Sequence, residues 1–396
     1  MKPDTVVTRR TVRHSNEGIA HMKKSLDRLR GRRGGLAVGA VLTAAASLTL
    51  AACAGAAAPS GSSEGSGSAG GGGTTAVALI TKTSTNPFFL AMKKGAEDEA
   101  AKSGVTLTYA AGAKDGDEDG QVKAIEAAVA RGDQGILIAP NGPGVNAALN
   151  NARKQGLYII ALDTPPDPAD TVDITFATDN FKAGLAIGKW AAAKQDGKPA
   201  KIALLDLYND KVVSVDLGRD QGFLTGMGID TKNIKKNGDE DKSGKYTGGK
   251  GGDYNIVCNE PTLGAQDTGK SAMETCLSKS KDINLVYTLN EPAAAGAAEA
   301  LKAAGVKATI VSVDGGCSPG IAGVKSGVIG ATAQQYPVKM AELGVKAIKT
   351  IADGGPKPAN SPGVDFYDTG VALVTDNPVD GLESITSADA EKICWG

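Results

Sequence analysis

The residues best placed to do chemistry are Asn86-Pro87-Phe88-Phe89 and four polar groups that each follow a short apolar run: Asp163, Asn290, Asp314 and Gln335. Pro87 opens a helix where its missing N–H costs little, so Asn86 stands at a strand-to-helix corner. Adjacent phenylalanines face different sides of a helix, and a core needs only one of them. The second ring, beside an amide, makes a stacking wall for a ligand that is half flat and half polar. Sugars fit that description, with C–H faces for rings and hydroxyls for amides and carboxylates. A charged partner raises each such hydrogen bond to about 1.5–3 kcal/mol. Taken singly, a strand-end Asp also reads as a helix cap or turn former, and the two rings as a wedge between sheet and helix. Matching chemistry at four strand ends, together with Asn86, points instead to a ring of ligand groups. Thr81, Lys82 and Thr83, at the end of the first strand, are further candidates without an assigned role.

Those groups need strands to deliver them. Runs rich in Val, Ile and Leu at residues 76–81, 105–109, 135–139 and 157–162 predict strands, and residues 87–103, 121–131 and 145–155 predict the helices between them. A second series predicts strands at 201–207, 256–258, 285–289, 309–313 and 328–332, with helices at 181–194, 214–227, 265–277, 292–304 and 321–325. Residues 338–352 read as one more helix before an irregular tail, and residues 228–253, crowded with Lys, Asp and Gly, as a mobile surface loop. Alternating strands and helices imply parallel sheets covered on both faces. The fold class is therefore α/β: two doubly wound parallel-sheet lobes joined by a hinge. Such sheets bind ligands beyond the carboxyl ends of their strands, here in the cleft between lobes.

Four arginines in residues 28–33 precede the apolar run 36–50, which ends in Leu50-Ala51-Ala52-Cys53. A charged start, an apolar stretch too short to span a bilayer and small residues before a cysteine mark residues 1–52 as a signal peptide. Met22-Lys23-Lys24 makes a more typical signal start than Met1, and Arg32-Arg33 is a weak twin-arginine pattern. The last four residues resemble the lipobox of bacterial lipoproteins. That implies acylation at Cys53 and anchoring on the outer face of the cytoplasmic membrane. Residues 53–73 are almost wholly Ala, Gly, Ser and Pro, with Glu64 the only charge, which describes a flexible tether.

Of 43 Lys/Arg and 44 Asp/Glu, 10 and 3 fall in residues 1–52, leaving 33 against 41. A mildly acidic chain with no basic stripe argues against nucleic acid as a partner. Both histidines, His14 and His21, precede Cys53. The exported part thus has no means for Ser-His or Cys-His catalysis or for a His-liganded metal.

Four cysteines follow the lipidated one, and an even count outside the cytoplasm reads as two disulfides. Of three possible pairings, Cys258–Cys276 closes a local loop and Cys317–Cys394 pins the C-terminus to a strand-end loop. These are the expected pairs, each contributing about 2–4 kcal/mol. Asp115, Asp117, Asp119 and Glu126 match the spacing of an EF-hand loop, but a strand rather than a helix leads into them. They are a weak calcium candidate, with no other metal and no cofactor expected; the family resemblance given below implies instead an acidic helix N-terminus matched to the helix dipole.

With these residues in place, the chain resembles the sugar-binding proteins of bacterial ABC importers, ribose/galactose type, a type I periplasmic binding protein family. The likeness runs from Thr74 to the C-terminus. It rests on the 86–89 and 161–163 segments, Ala177-Thr178-Asp179-Asn180, Arg219-Asp220-Gln221-Gly222-Phe223, Asn290-Glu291-Pro292, Val313-Asp314-Gly315 and Gln335-Tyr336-Pro337. Residues 290–296, Gly315-Gly316-Cys317 and Cys394-Trp395-Gly396 look most like the fructose-binding branch.

The resemblance implies a binding protein and not an enzyme: a monomer that closes on a monosaccharide, fructose, and delivers it to the transmembrane subunits of an ABC permease. It implies an N-terminal lobe of residues 74–178 plus 336–366 and a C-terminal lobe of residues 179–335 plus 367–396. It implies a ligand set of Asn86, Phe88, Phe89, Asp163, Arg219, Asn290, Asp314 and Gln335, with Arg219 reaching across the cleft. Ribose proteins carry an arginine where Thr164 stands, an Asn where Ala139 stands, an aromatic near Leu263-Gly264 and a small hydroxyl residue where Lys82 stands. The pocket is thus expected to differ from a ribose pocket. A sensor that reports to a membrane signalling protein would look much the same. An enzyme acting on sugars would need Asp163 and Asp314 as a glycosidase pair, and no general acid is evident beside them.

Overall fold

In a computed structural model, residues 74–396 are described; the expected signal peptide, the lipidation site Cys53 and the tether lie outside the described residues. Strand β1 (Ala76–Thr81) is buried along almost its whole length, as a central parallel strand must be. Helix α1 (Pro87–Ser103) starts where Asn86 Oδ1 accepts the Phe88 N–H and stops at Gly104, whose φ of 66° gives a left-handed cap. The first sheet continues with β2 (Thr106–Ala111), α2 (Glu118–Arg131), β3 (Gly135–Ile138), α3 (Asn146–Lys154), β4 (Tyr158–Leu162) and β5 (Ile174–Ala177).

The chain then enters a second series: α4 (Asn180–Gln195), β6 (Ala200–Asp206), α5 (Ser214–Met227), β7 (Ser243–Tyr246), β8 (Gly252–Pro261) and α6 (Gln266–Lys279). It goes on through β9 (Leu285–Thr288), α7 (Glu291–Ala304), β10 (Thr309–Asp314), α8 (Ala322–Ser326) and β11 (Ala331–Gln334). Helix α9 (Pro337–Ala352), β12 (Tyr367–Asp368), β13 (Ala372–Val374) and α10 (Ser387–Ala390) close the chain.

Six parallel strands form one sheet in the order β12-β5-β4-β3-β1-β2. Seven form the other, β13-β11-β10-β9-β6-β8-β7, with antiparallel β13 and β7 at its edges. The chain therefore passes between sheets three times: after β5, after β11 and after β12. Helix α9 packs its buried Met340, Ala341 and Val345 into the core of the first sheet, although it follows a strand of the second.

The helix that carries Arg219 is held by backbone contact. A Cβ on Gly184 of α4 would lie 2.1 Å from the Arg219 carbonyl, and one on Gly222 of α5 would lie 2.3 Å from the Phe181 carbonyl. Only glycine allows α4 and α5 to approach this closely.

Several elements depart from the sequence-based expectations. Residues expected to be a mobile loop hold the β7–β8 hairpin, paired from Ser243↔Asn255 to Tyr246↔Gly252. Strand β11 begins at Ala331 rather than 328, because Gly327 caps α8 in a left-handed turn and Ile329 folds back into a core. Helix α2 begins at Glu118 rather than near Gln121, because Asp117 caps it by accepting the Gly120 N–H. The two disulfides are Cys258–Cys276, which ties β8 to α6, and Cys317–Cys394.

Candidate functional site

Strand ends and helix starts from both sheets meet at one cavity of about 340 Å³, counting its open mouth. From the first sheet it is lined by Lys82 after β1, Asn86, Phe88 and Phe89 at the start of α1, Asp115 ahead of α2, and Asp163 after β4. From the second come Arg219 on α5, Asn290 capping α7, and Asp314 ending β10. Apolar Leu207, Val215 and Leu289 complete the wall with Gly264. The cavity thus lies beyond the carboxyl ends of both sheets, where doubly wound folds place ligands.

Arg219 is the hub. Its Nε donates to Asn180 Oδ1 at 2.8 Å and its Nη1 to the Leu289 carbonyl at 2.8 Å. The same fork lies 3.8 Å from Asp163 Oδ1 and 3.6 Å from Asp314 Oδ1, so one guanidinium faces a carboxylate of each sheet. Lys82, only 3% exposed, brings its Nζ to 4.0 Å from Asp163 Oδ2, which also accepts the Thr164 hydroxyl at 2.7 Å. Asp163 Oδ1 has no hydrogen-bond partner among the described residues.

The backbone is strained at both acids. Asp163 has φ 65° and Asp314 φ 139°, a region that non-glycine residues rarely adopt. Strain of this kind gathers where the fold must aim a side chain. At Asp314 the aim is secured from behind. Buried Glu291 accepts the N–H groups of Gly315 (2.7 Å) and Gly316 (2.9 Å) and the Thr332 hydroxyl (2.7 Å).

Burial raises the Asp314 carboxyl well above the usual range; Arg219 opposes the rise, and Glu291 and Asp163 add to it. Burial likewise pushes Glu291 up to about 7, against its three hydrogen bonds. Asp115 is pushed up to about 6, by burial first and by the Asp163 charge, with Lys82 and Lys211 opposing.

The aromatic wall is a chain of edge-to-face contacts, Phe89 to Phe88 and Phe88 to Trp395, each with ring centroids 5.3 Å apart. Trp395 donates its Nε1–H to the Gln335 carbonyl at 2.9 Å, and the neighbouring Cys317–Cys394 bridge holds the C-terminus against the site. Asn290 serves twice, its Oδ1 capping α7 at Ala293 and its Nδ2 donating to the Gly264 carbonyl at 3.0 Å.

Of the residues expected at the site, the structure gathers Asn86, Phe88, Phe89, Asp163, Arg219, Asn290, Asp314 and Lys82 around the cavity. Gln335 lies outside that lining; it is fully buried, and its side-chain oxygen and nitrogen have no partner among the described residues. Thr81 bonds inward, to the Thr83 carbonyl at 3.1 Å and the Tyr109 hydroxyl at 2.9 Å. Thr83 lies at a neighbouring depression shared by Asn86, Asp115 and Gly264.

In the acidic loop, Asp117 is a helix cap, while Asp119 and Glu126 are exposed on α2. No group of three or more His, Cys, Asp or Glu side chains among the described residues is arranged to hold a metal ion. Asp115 was missed as a cavity residue because it reads as one more loop acid. Asn141 was missed too; buried behind the wall, it donates to the Lys82 and Asp117 carbonyls and accepts the Gly116 N–H.

Residues 77–356 match a periplasmic binding protein domain. The ribose import binding protein of Haemophilus influenzae is 27% identical over 279 residues, 70% of this chain and 86% of the relative. The D-allose-binding periplasmic protein of Escherichia coli is 26% identical over 286 residues, 70% of this chain and 83% of that one. Among solved structures, an ABC transporter solute-binding protein from Agrobacterium vitis with bound D-fucose superposes with a TM-score of 0.63 at 26% identity, covering 77% of this chain and 97% of the other.

Proposed function

Because the chain belongs to the periplasmic binding protein family, whose members matched here are binding proteins and not enzymes, we propose that it is the sugar-binding component of an ABC importer. In this reading it takes one monosaccharide between two lobes and hands it to a membrane permease. The observation that carries the proposal is the Arg219 fork between Asp163 of the first sheet and Asp314 of the second. A ligand whose hydroxyls bond to all three draws the two sheets together, and the three chain passages between sheets are the hinge. The proposed lobes are residues 74–178 plus 336–366 and residues 179–335 plus 367–396, with one change at the boundary: β12 (Tyr367–Asp368) pairs with β5 and goes with the first lobe, so the return to the second follows Asp368.

The site has donors, acceptors and rings in the proportions a sugar needs. Asp163, Asp115 and Asp314 offer carboxyl oxygens for hydrogen bonds with sugar hydroxyls, Arg219, Lys82 and Asn290 donate, and Phe88 and Phe89 cover C–H faces. Gln335 acts behind this set, through the Trp395 that packs on Phe88. Fructose is the proposed sugar, from the 290–296 run and the Cys394-Trp395-Gly396 end. Cys53 is the proposed lipid anchor, and residues 53–73, from their composition, are the proposed tether between it and the receptor. A thermal-shift screen of the purified chain against D-fructose, D-ribose, D-allose, D-galactose and D-glucose tests the reading. Stabilisation by fructose above the others supports it; stabilisation by a different sugar alone keeps the receptor and discards fructose.

A further inference from the structure

Two polar contacts join the sheets without touching the cavity. Lys211 lies in the connection between β6 and α5 of the second sheet, and its Nζ donates to the Gly116 carbonyl, in the loop after β2, at 3.3 Å. The same ammonium lies 4.0 Å from Glu118 Oε2 at the start of α2. Ser214, which opens α5, donates its hydroxyl to the Pro165 carbonyl, past β4, at 2.6 Å. Neither Lys211 nor Ser214 lines the cavity. Each reaches a segment that contributes to it, Gly116 beside Asp115 and Pro165 two residues past Asp163.

The first sheet presents Lys211 with a built socket. Asn141 Oδ1 accepts the Gly116 N–H at 2.9 Å, and Glu118 Oε1 accepts the Gly144 N–H at 3.0 Å. Gly142 makes room for that carboxylate, since a Cβ there would lie 2.1 Å from Glu118 Oε1. From the second sheet, the ammonium stands 4.8 Å from the centre of the Tyr208 ring. Buried Asp216 ties this connection to α5 by accepting the N–H groups of Leu207 (2.8 Å) and Tyr208 (3.3 Å). A fully solvated ion pair would count for little. The Lys211 side chain is only 22% exposed, and it meets groups already fixed by their own bonds, so less ordering opposes the contact.

We propose, resting on the receptor reading, that Lys211 and Ser214 are positioning residues that latch the lobes shut, so that two side chains outside the cavity set how long the sugar stays. Both contacts cross between sheets and exist only when the lobes are closed. The observed affinity of such a receptor is its closed-form affinity scaled by the population of that form. The latch raises that population without a bond to the ligand. It therefore strengthens every accepted sugar by one factor and does not choose among them. The acidic loop gains a role in this way, because Gly116 and Glu118 receive Lys211.

The test is calorimetric and stopped-flow titration of the purified chain with D-fructose, D-ribose and D-allose. Lys211→Met is expected to lower affinity about tenfold and Ser214→Ala about fivefold, mostly through faster dissociation. The ratio of affinities between sugars and the melting temperature of the sugar-free chain stay unchanged. Lys211→Arg keeps a donor and most of the affinity. Glu118→Gln weakens binding in the wild type and adds little on top of Lys211→Met, because interacting partners are not additive. Wild-type affinity in either Lys211→Met or Ser214→Ala, or a loss that differs from sugar to sugar, would overturn the latch and leave the receptor reading standing. A loss matched by a fall in the sugar-free melting temperature would mark a folding defect and overturn it equally. A wild-type chain that binds no monosaccharide would overturn both.

Discussion

Arg219 and Asp163 come from different sheets, yet the guanidinium and carboxylate stand 3.8 Å apart, both side chains almost wholly buried. Removing the arginine would leave Asp163 and Asp314 without their shared counter-charge. Arg219→Ala is therefore expected to weaken sugar binding by about 2–5 kcal/mol. Arg219→Lys keeps the charge but not the fork that serves Asn180 and Leu289 together, and should recover only a small part. Calorimetric titration of the two variants checks both statements.

Asp314 and Asn290 present the second lobe's polar face. Asp314→Ala and Asn290→Ala are each expected to weaken binding more than tenfold, roughly 1.4 kcal/mol or more. Asn290→Ala also removes a helix cap, costing about 1 kcal/mol of stability. Chemical denaturation beside the binding titration separates the two effects, and normal binding in both variants would remove these residues from the site.

Stability should carry a signature of Glu291. Its folded-state pKa, pushed up to about 7, exceeds the ordinary carboxylate value of 4.5. The folded chain therefore holds that proton more tightly than the unfolded chain. The stabilisation is complete below pH about 4.5 and is lost as pH rises through about 7. Melting temperatures across that window should fall for the wild type relative to Glu291→Gln; parallel curves would contradict the assignment.

The Cys317–Cys394 bridge spans 77 residues and holds Trp395 against Phe88. Replacing both cysteines with serine is expected to cost about 2–4 kcal/mol of stability. It should also weaken sugar binding, because the aromatic wall loses its backing. Replacing Cys258 and Cys276 should lower stability and leave affinity unchanged. Denaturation and binding curves for the two double variants supply the comparison.

How much of this was legible before the fold was known depends on how local the signal is. Helix α1 is readable to the residue, because Asn86, Pro87 and Gly104 fix its ends by their own backbone chemistry. Strand ends carrying Asp163 and Asp314 are readable because parallel strands are continuous apolar runs. The β7–β8 hairpin is not, since edge strands are polar on exposed faces and their pairing comes from the partner, not from propensity. Asp115 and Gln335 show the same limit at the site. One reaches the cavity and the other lies behind it, and strand-end position alone does not distinguish them.

The central claim is that Asp163, Arg219 and Asp314 close around a monosaccharide. It is tested most directly by calorimetric titration of the ligand-stripped chain with D-fructose, with the recovered sugar analysed for turnover. The account predicts one-to-one binding, sugar recovered intact, and heat lost in Arg219→Ala. Silence toward fructose and every other monosaccharide, or conversion of the sugar into product, would contradict it.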